Sequence, residues 1–150
     1  MEVNSIGDSF MIAHQCFVDS NIIVYAHDRK ETVKYPIASQ CLRSFWETGP
    51  LFPSISIQVL QETFAVFMNK KVSFDHARNI IELYCQWNVI DNDKDVLQQG
   101  MRIKQKYQIS IWDGLIVAAA IKAKVKYIVS EDFNPNQDYE GIKIINPFAN

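Results

Sequence analysis

Between Ser110 and Ala123 the chain reads SIWDGLIVAAAIKA, and a helix over this stretch would be apolar on every side. Ile111, Trp112, Leu115, Ile116, Val117, Ile121 and a run of alanines leave it no solvent face. A helix hydrophobic all round has to be enclosed. Its longest apolar run, Leu115 to Ile121, is far short of the roughly 20 residues that span a bilayer, so a protein core must do the enclosing. The chain has 150 residues, 48% of them hydrophobic and 12% aromatic, enough for one domain with a sizeable core.

The rest of the sequence supplies that enclosure. Short apolar strands are predicted at Phe17 to Asp19, Leu51 to Ser54, Val89-Ile90, Tyr127 to Ser130 and Ile142 to Ile145. Between them come a short helical or extended piece through Tyr25 and helices from Pro36 to Thr48, Ser56 to Lys70, Ser73 to Gln86 and Asp93 to Tyr107. Pro36 suits a first helical turn, while Ser56, Ser73, Asp93 and Ser110 are N-cap residues. The predicted inward faces include Leu60, Phe64, Phe67 and Met68, then Ala77, Ile80, Ile81, Tyr84 and Cys85. Strands alternating with helices predict an α/β fold, a parallel sheet covered by helices on both faces.

In this frame four acids fall where strands end or helices begin: Asp19, Glu62, Asp113 and Asp132. Asp19 follows Phe17-Val18, and ligands of open α/β sheets sit beyond the carboxyl ends of strands. The same carboxylate serves equally as an Asx turn or N-cap. Asp113 lies in the first turn of the enclosed helix, where Ser110-x-x-Asp113 has capping-box spacing and a carboxylate suits the helix dipole. A cap and a metal ligand look alike there. Glu62 lies nearly opposite Leu60 and Phe64 on a helical wheel, as a solvated surface glutamate would. Asp132 stands in SEDFNPNQD beside Glu131 and Asp138, and strand alternation does not say which acid turns inward.

Other chemistry fits less well. His14, His27 and His76 lack ligand spacing, and none stands near a serine or cysteine in a nucleophile-like setting. The five glycines form no phosphate-binding loop. Cys16, Cys41 and Cys85 form no metal pattern and read as buried free thiols. With 15 basic and 17 acidic residues the net charge is −2, which argues against holding nucleic acid by a broad basic field. Lys70, Lys71, Arg78, Arg102, Lys104 and Lys106 offer local guidance, or are solvated helix surface. Trp46, Trp87 and Trp112 read as core rather than as base-stacking platforms. The first residues lack the basic and apolar regions of a signal peptide, so the default expectation is a soluble cytoplasmic protein.

Taken with their surroundings, the acids stop being independent. FVDSNIIVYAHD, SIQVLQETF, SIWDGLIVAAA, YIVSEDF and IINPF, in that order, resemble the PIN domain, and most closely the VapC-type toxins of bacterial toxin–antitoxin pairs. The resemblance implies a PIN-like fold over residues 16–150, with 1–15 an N-terminal extension or Met11 the true start. It implies a metal-dependent ribonuclease whose catalytic acids are Asp19, Glu62, Asp113 and Asp132, with Asn21 and Ser130 in support. Asp19, Asp113 and Asp132 would hold Mg²⁺ or Mn²⁺, hard cations suited to carboxylate oxygen. A small antitoxin and a homodimer are the implied partners. The alternative is a catalytically silent module of the same fold that binds a protein. An aspartyl-phosphate enzyme fits less well, because Asp19 stands alone in VDSN rather than in an acidic pair.

Overall fold

The computed structural model describes residues 12–149. Among them, five strands form one parallel sheet: β1 (Cys16–Val18), β2 (Ser54–Ser56), β3 (Asn88–Ile90), β4 (Tyr127–Val129) and β5 (Lys143–Ile145), in the order β3-β2-β1-β4-β5. The helices are α1 (Ser20–Ala26), α2 (Lys34–Trp46), α3 (Ile57–Asn69), α4 (Phe74–Tyr84), α5 (Lys94–Tyr107) and α6 (Ile111–Lys122). The expected N-terminal extension lies outside the described residues except for Ile12 and the single 3-10 turn Ala13–Gln15, and Met11 lies outside them too.

Topology decides where a site can form. Parallel crossovers are right-handed, so stepping outward from β1 to β2 to β3 lays α1 to α4 on one face. Stepping back past β1 to reach β4 lays α5 and α6 on the other. The contacts agree: α1 packs on α2 and α3, α3 packs on α4, and α5 packs on α6. The direction reverses between β1 and β4, which opens a crevice beyond their carboxyl ends. β1, β2 and β4 are buried throughout, while the edge strands β3 and β5 are partly exposed. No helix among the described residues is long and apolar enough to cross a membrane.

The four predicted caps form. Ser56, Ser73, Asp93 and Ser110 accept from the backbone N–H of Val59, His76, Val96 and Asp113, each satisfying one orphan donor of a helix start. Pro36 does not open its helix but sits third in α2, where its missing N–H would lack a partner anyway. α6 is enclosed as expected: Gly114 to Ala120 are all buried. It approaches α5 closely enough that a Cβ on Gly114 would stand 2.4 Å from the Gly100 carbonyl oxygen.

Three expectations are corrected. The second strand is Ser54–Ser56 rather than Leu51 to Ser54, and Leu51 is exposed. Pro53 has no N–H for a ladder, and pairing with β3 begins at Ser54↔Asn88. Cys85 is exposed, whereas Cys16 and Cys41 are buried; Cys85 is the cap residue just past α4. Trp87 is buried but Trp112 is 64% exposed, so the enclosure of α6 begins only after its first three residues.

Candidate active site

Asp19 is the innermost acid, 4% exposed. Its backbone N–H donates to the Val129 carbonyl at 3.0 Å, so the pairing of β1 with β4 runs one residue further and sets Asp19 beside Ser130. Oδ1 accepts from the Ser20 N–H at 2.8 Å and caps α1. Oδ2 accepts from the Ser130 hydroxyl at 2.8 Å and from Asn21 Nδ2 at 3.3 Å. The cap reading and the site reading therefore use different oxygens of one carboxylate. Burial pushes its pKa up to about 7, against the lowering effect of the bonds from Ser130 and Ser20; the charges of Glu62 and Asp132 add to the rise.

Asn21 joins the two strand ends. Its amide also donates to Asp132 Oδ2 at 3.0 Å and to the Ser130 hydroxyl oxygen at 3.2 Å, and Ser130 Oγ accepts from the Asp132 N–H. Two carboxylates from β1 and β4 thus share one amide donor. Of the acids left open in this run, Asp138 accepts from the Gly141 N–H, and Glu131 and Asp132 have different partners. Glu131 accepts from Tyr25 at 2.5 Å and from Lys34 at 2.7 Å. Those bonds hold its carboxyl below its usual range despite partial burial and leave Asp132 facing Asn21.

Glu62 is tied to the start of α6, one residue before Asp113, through a residue that sequence reasoning missed. Gln58 is 5% exposed, and its Nε2 donates to Glu62 Oε1 at 2.7 Å and to the Trp112 carbonyl at 3.1 Å. Both partners are acceptors, so the amide can face them only with its nitrogen. Its own Oε1 is buried without a partner. The available signal was the spacing, since Gln58 and Glu62 are i, i+4 neighbours on one helix face. Glu62 is half-buried rather than a free surface glutamate. The inner face of α3 carries Leu60 and Phe67 as expected, joined by Gln58, Val59 and Thr63, while Phe64 and Met68 are only partly buried; Glu62 lies beside this face, toward the crevice. Burial raises the pKa of Glu62 and of Asp113, with Asp113 and Asp132 charges raising the first and Asp132 raising the second.

The expected acids thus form one electrostatic group at the switch point of the sheet. Among the described residues, no three carboxylate, imidazole or thiol groups converge closely enough to grip an ion as they stand. Amide and hydroxyl donors of Asn21, Ser130 and Gln58 face these carboxylates. The donor chemistry suits a hard cation: oxygen ligands, one of them buried with its proton affinity raised. Several of the lysines and arginines considered for guidance are engaged elsewhere, Lys70 with Asp28, and Arg102 and Lys106 with Glu140.

Gln58→Leu is expected to cost about 1–3 kcal/mol, because Glu62 and the Trp112 carbonyl lose their donor, partly offset by removal of an unpaired buried oxygen. Divalent-ion affinity should fall about 10- to 100-fold, the usual effect of removing a supporting partner beside a metal site. Calorimetric Mn²⁺ titration beside urea denaturation checks both.

The model of the PIN domain family matches residues 16–137. No curated protein matches the sequence. Among solved structures, a toxin–antitoxin complex from Klebsiella pneumoniae aligns with TM-score 0.62 at 18% identity, covering 88% of this chain and 97% of that one. VapC20 of Mycobacterium tuberculosis, described as a toxin cleaving the sarcin-ricin loop, aligns with TM-score 0.62 at 18% identity over 81% and 91%. VapBC2 of Rickettsia felis, bound to a promoter DNA fragment, gives 0.62 at 17% over 87% and 97%. These are likenesses of fold.

Proposed function

Because the chain belongs to the PIN domain family, we propose that it is a metal-dependent endoribonuclease, the toxin of a toxin–antitoxin pair, with Asp19, Glu62, Asp113 and Asp132 as its acids. The observation that carries this reading is Asp19. A carboxylate 4% exposed, pushed up to about 7 and grouped with three other acids is costly to the fold unless a cation or a proton meets it. Asp19, Asp113 and Asp132 would hold Mg²⁺ or Mn²⁺, with Glu62 completing the group. A bound ion there would acidify a water and screen the charge of the attacked phosphate.

The remaining work falls to the chain's own residues. Ser130 and Asn21 orient Asp19 and Asp132 by their donated hydrogen bonds, and Gln58 orients Glu62. Attack by water with no covalent intermediate leaves a 3′-hydroxyl and a 5′-phosphate. The toxin–antitoxin complexes among the structural neighbours support an antitoxin as partner, and a homodimer is proposed with it.

End-group analysis of RNA fragments made with Mg²⁺ or Mn²⁺ tests the chemistry. Fragments labelled by kinase only after phosphatase treatment are expected. Cyclic 2′,3′-phosphates would mean attack by the ribose hydroxyl, a different reaction. Ion binding without cleavage of any RNA would favour the silent protein-binding module.

A further inference from the structure

Trp112 directly precedes Asp113 in the first turn of α6, and it is 64% exposed. One turn further along the same stripe, Leu115 and Ile116 are 7% and 2% exposed. The stripe therefore leaves the core only at the helix start. Helical side chains lean toward the N-terminus, so the indole projects at the end of α6 where the acids gather. Its backbone is not loose: the Trp112 carbonyl accepts from Gln58, which also holds Glu62. The indole thus stands on a rigid mount tied to both Glu62 and Asp113.

We infer that Trp112 is a stacking platform for an unpaired nucleobase next to the scissile phosphate. The inference rests on the nuclease reading of the site. An acidic group repels the phosphates it has to approach, and the chain's net charge of −2 supplies no broad basic field. Lys34, Lys70, Arg102, Lys106 and Lys122 are paired with acids. A neutral π-face grips the uncharged part of a nucleotide without competing for the carboxylates. Such stacking accepts any base but needs one that is free of a duplex.

The test titrates short single-stranded RNA into the metal-free protein and follows tryptophan fluorescence, beside a Trp112→Phe variant that keeps Trp46 and Trp87. Quenching in the wild type that is lost in the variant, and weak with duplex RNA or with an oligonucleotide abasic throughout, is the expected result. In cleavage assays with metal, Trp112→Ala should raise KM about 5- to 150-fold, with kcat little changed and Trp112→Phe close to the wild type. Unchanged KM in Trp112→Ala beside an active wild type would overturn the inference and leave the nuclease standing. A variant altered only in oligomeric state or partner binding would make Trp112 a protein contact and overturn it too. An inactive wild type would sink the nuclease reading, and the quenching experiment would still decide whether Trp112 meets RNA.

Discussion

Asp19→Asn is expected to make the metal-free protein more stable at pH 8 while reducing cleavage to background. The native carboxyl is pushed up to about 7 by burial, whereas an unfolded aspartate titrates near ~3.9. The native state therefore holds its proton more tightly, and stability falls as pH rises from about 4 to about 7, by up to ~1.4 kcal/mol per unit. Glu62 and Asp113, also raised by burial, act in the same direction. An asparagine still caps α1 through its oxygen, but its amide then meets the Asn21 amide, donor against donor, at a cost on the order of 1 kcal/mol. Set against a penalty of about 4 kcal/mol in the wild type, the net gain is about 1–3 kcal/mol, or several degrees in Tm. The gain should vanish near pH 4. Mn²⁺ should raise the Tm of the wild type and leave the variant unmoved. Differential scanning fluorimetry across pH, with and without metal, checks every part. A variant less stable at pH 8 would make capping the main role of Asp19.

Two alanine substitutions across one helix contact are expected to differ sharply. At Gly114 a Cβ would lie 2.4 Å from the Gly100 carbonyl oxygen and 3.2 Å from the Lys104 nitrogen, both backbone atoms. Neither can move without separating α5 from α6. Overpacking of this kind costs about 1–3 kcal/mol, occasionally more, and exceeds the ~1 kcal/mol of helix propensity that alanine adds. Gly100→Ala instead meets the Leu115 Cδ2 at 2.6 Å, the far end of a side chain, and the Leu115 Cα only at 3.2 Å. With the same propensity gain set against it, its cost is expected to be smaller than that of Gly114→Ala. Gly114 is also the neighbour of Asp113, so the disruptive change should weaken ion binding as well. Urea denaturation of both variants supplies the comparison; equal effects would contradict the packing account.

The strand–helix alternation and the caps at Ser56, Ser73, Asp93 and Ser110 were legible because they are local: a hydroxyl or carboxylate bonds to a backbone N–H three residues on. The second strand was misplaced because Ser54 and Ser56 are buried yet polar. Ser54 accepts from Asn88 and Ser56 from Val59, so their burial leaves no hydrophobic trace. Thr63 misled in the same way. It is fully buried with its hydroxyl on the Val59 carbonyl, so its place on the inner face of α3, next to Glu62, carries no apolar signal. Trp112 failed for the reverse reason, since an apolar sequence cannot tell where a helix emerges from its enclosure. The meeting of Asn21 with Ser130 and Asp132 spans more than a hundred residues and was accessible only through family resemblance. The link from Gln58 to Trp112 had no sequence signal.

The most direct test is to incubate purified, partner-free protein with RNA, with and without Mn²⁺ or Mg²⁺, beside Asp113→Asn. Asp113 is half-buried and its backbone N–H donates to the Ser110 hydroxyl; an asparagine keeps that N–H and a side-chain oxygen for Ser110, whose bond lowers the Asp113 pKa, so the substitution should spare the fold. The account predicts cleavage that requires metal and is lost in the variant, whose metal-free Tm is unchanged or higher. Cleavage that persists in Asp113→Asn, or that needs no metal, would contradict it.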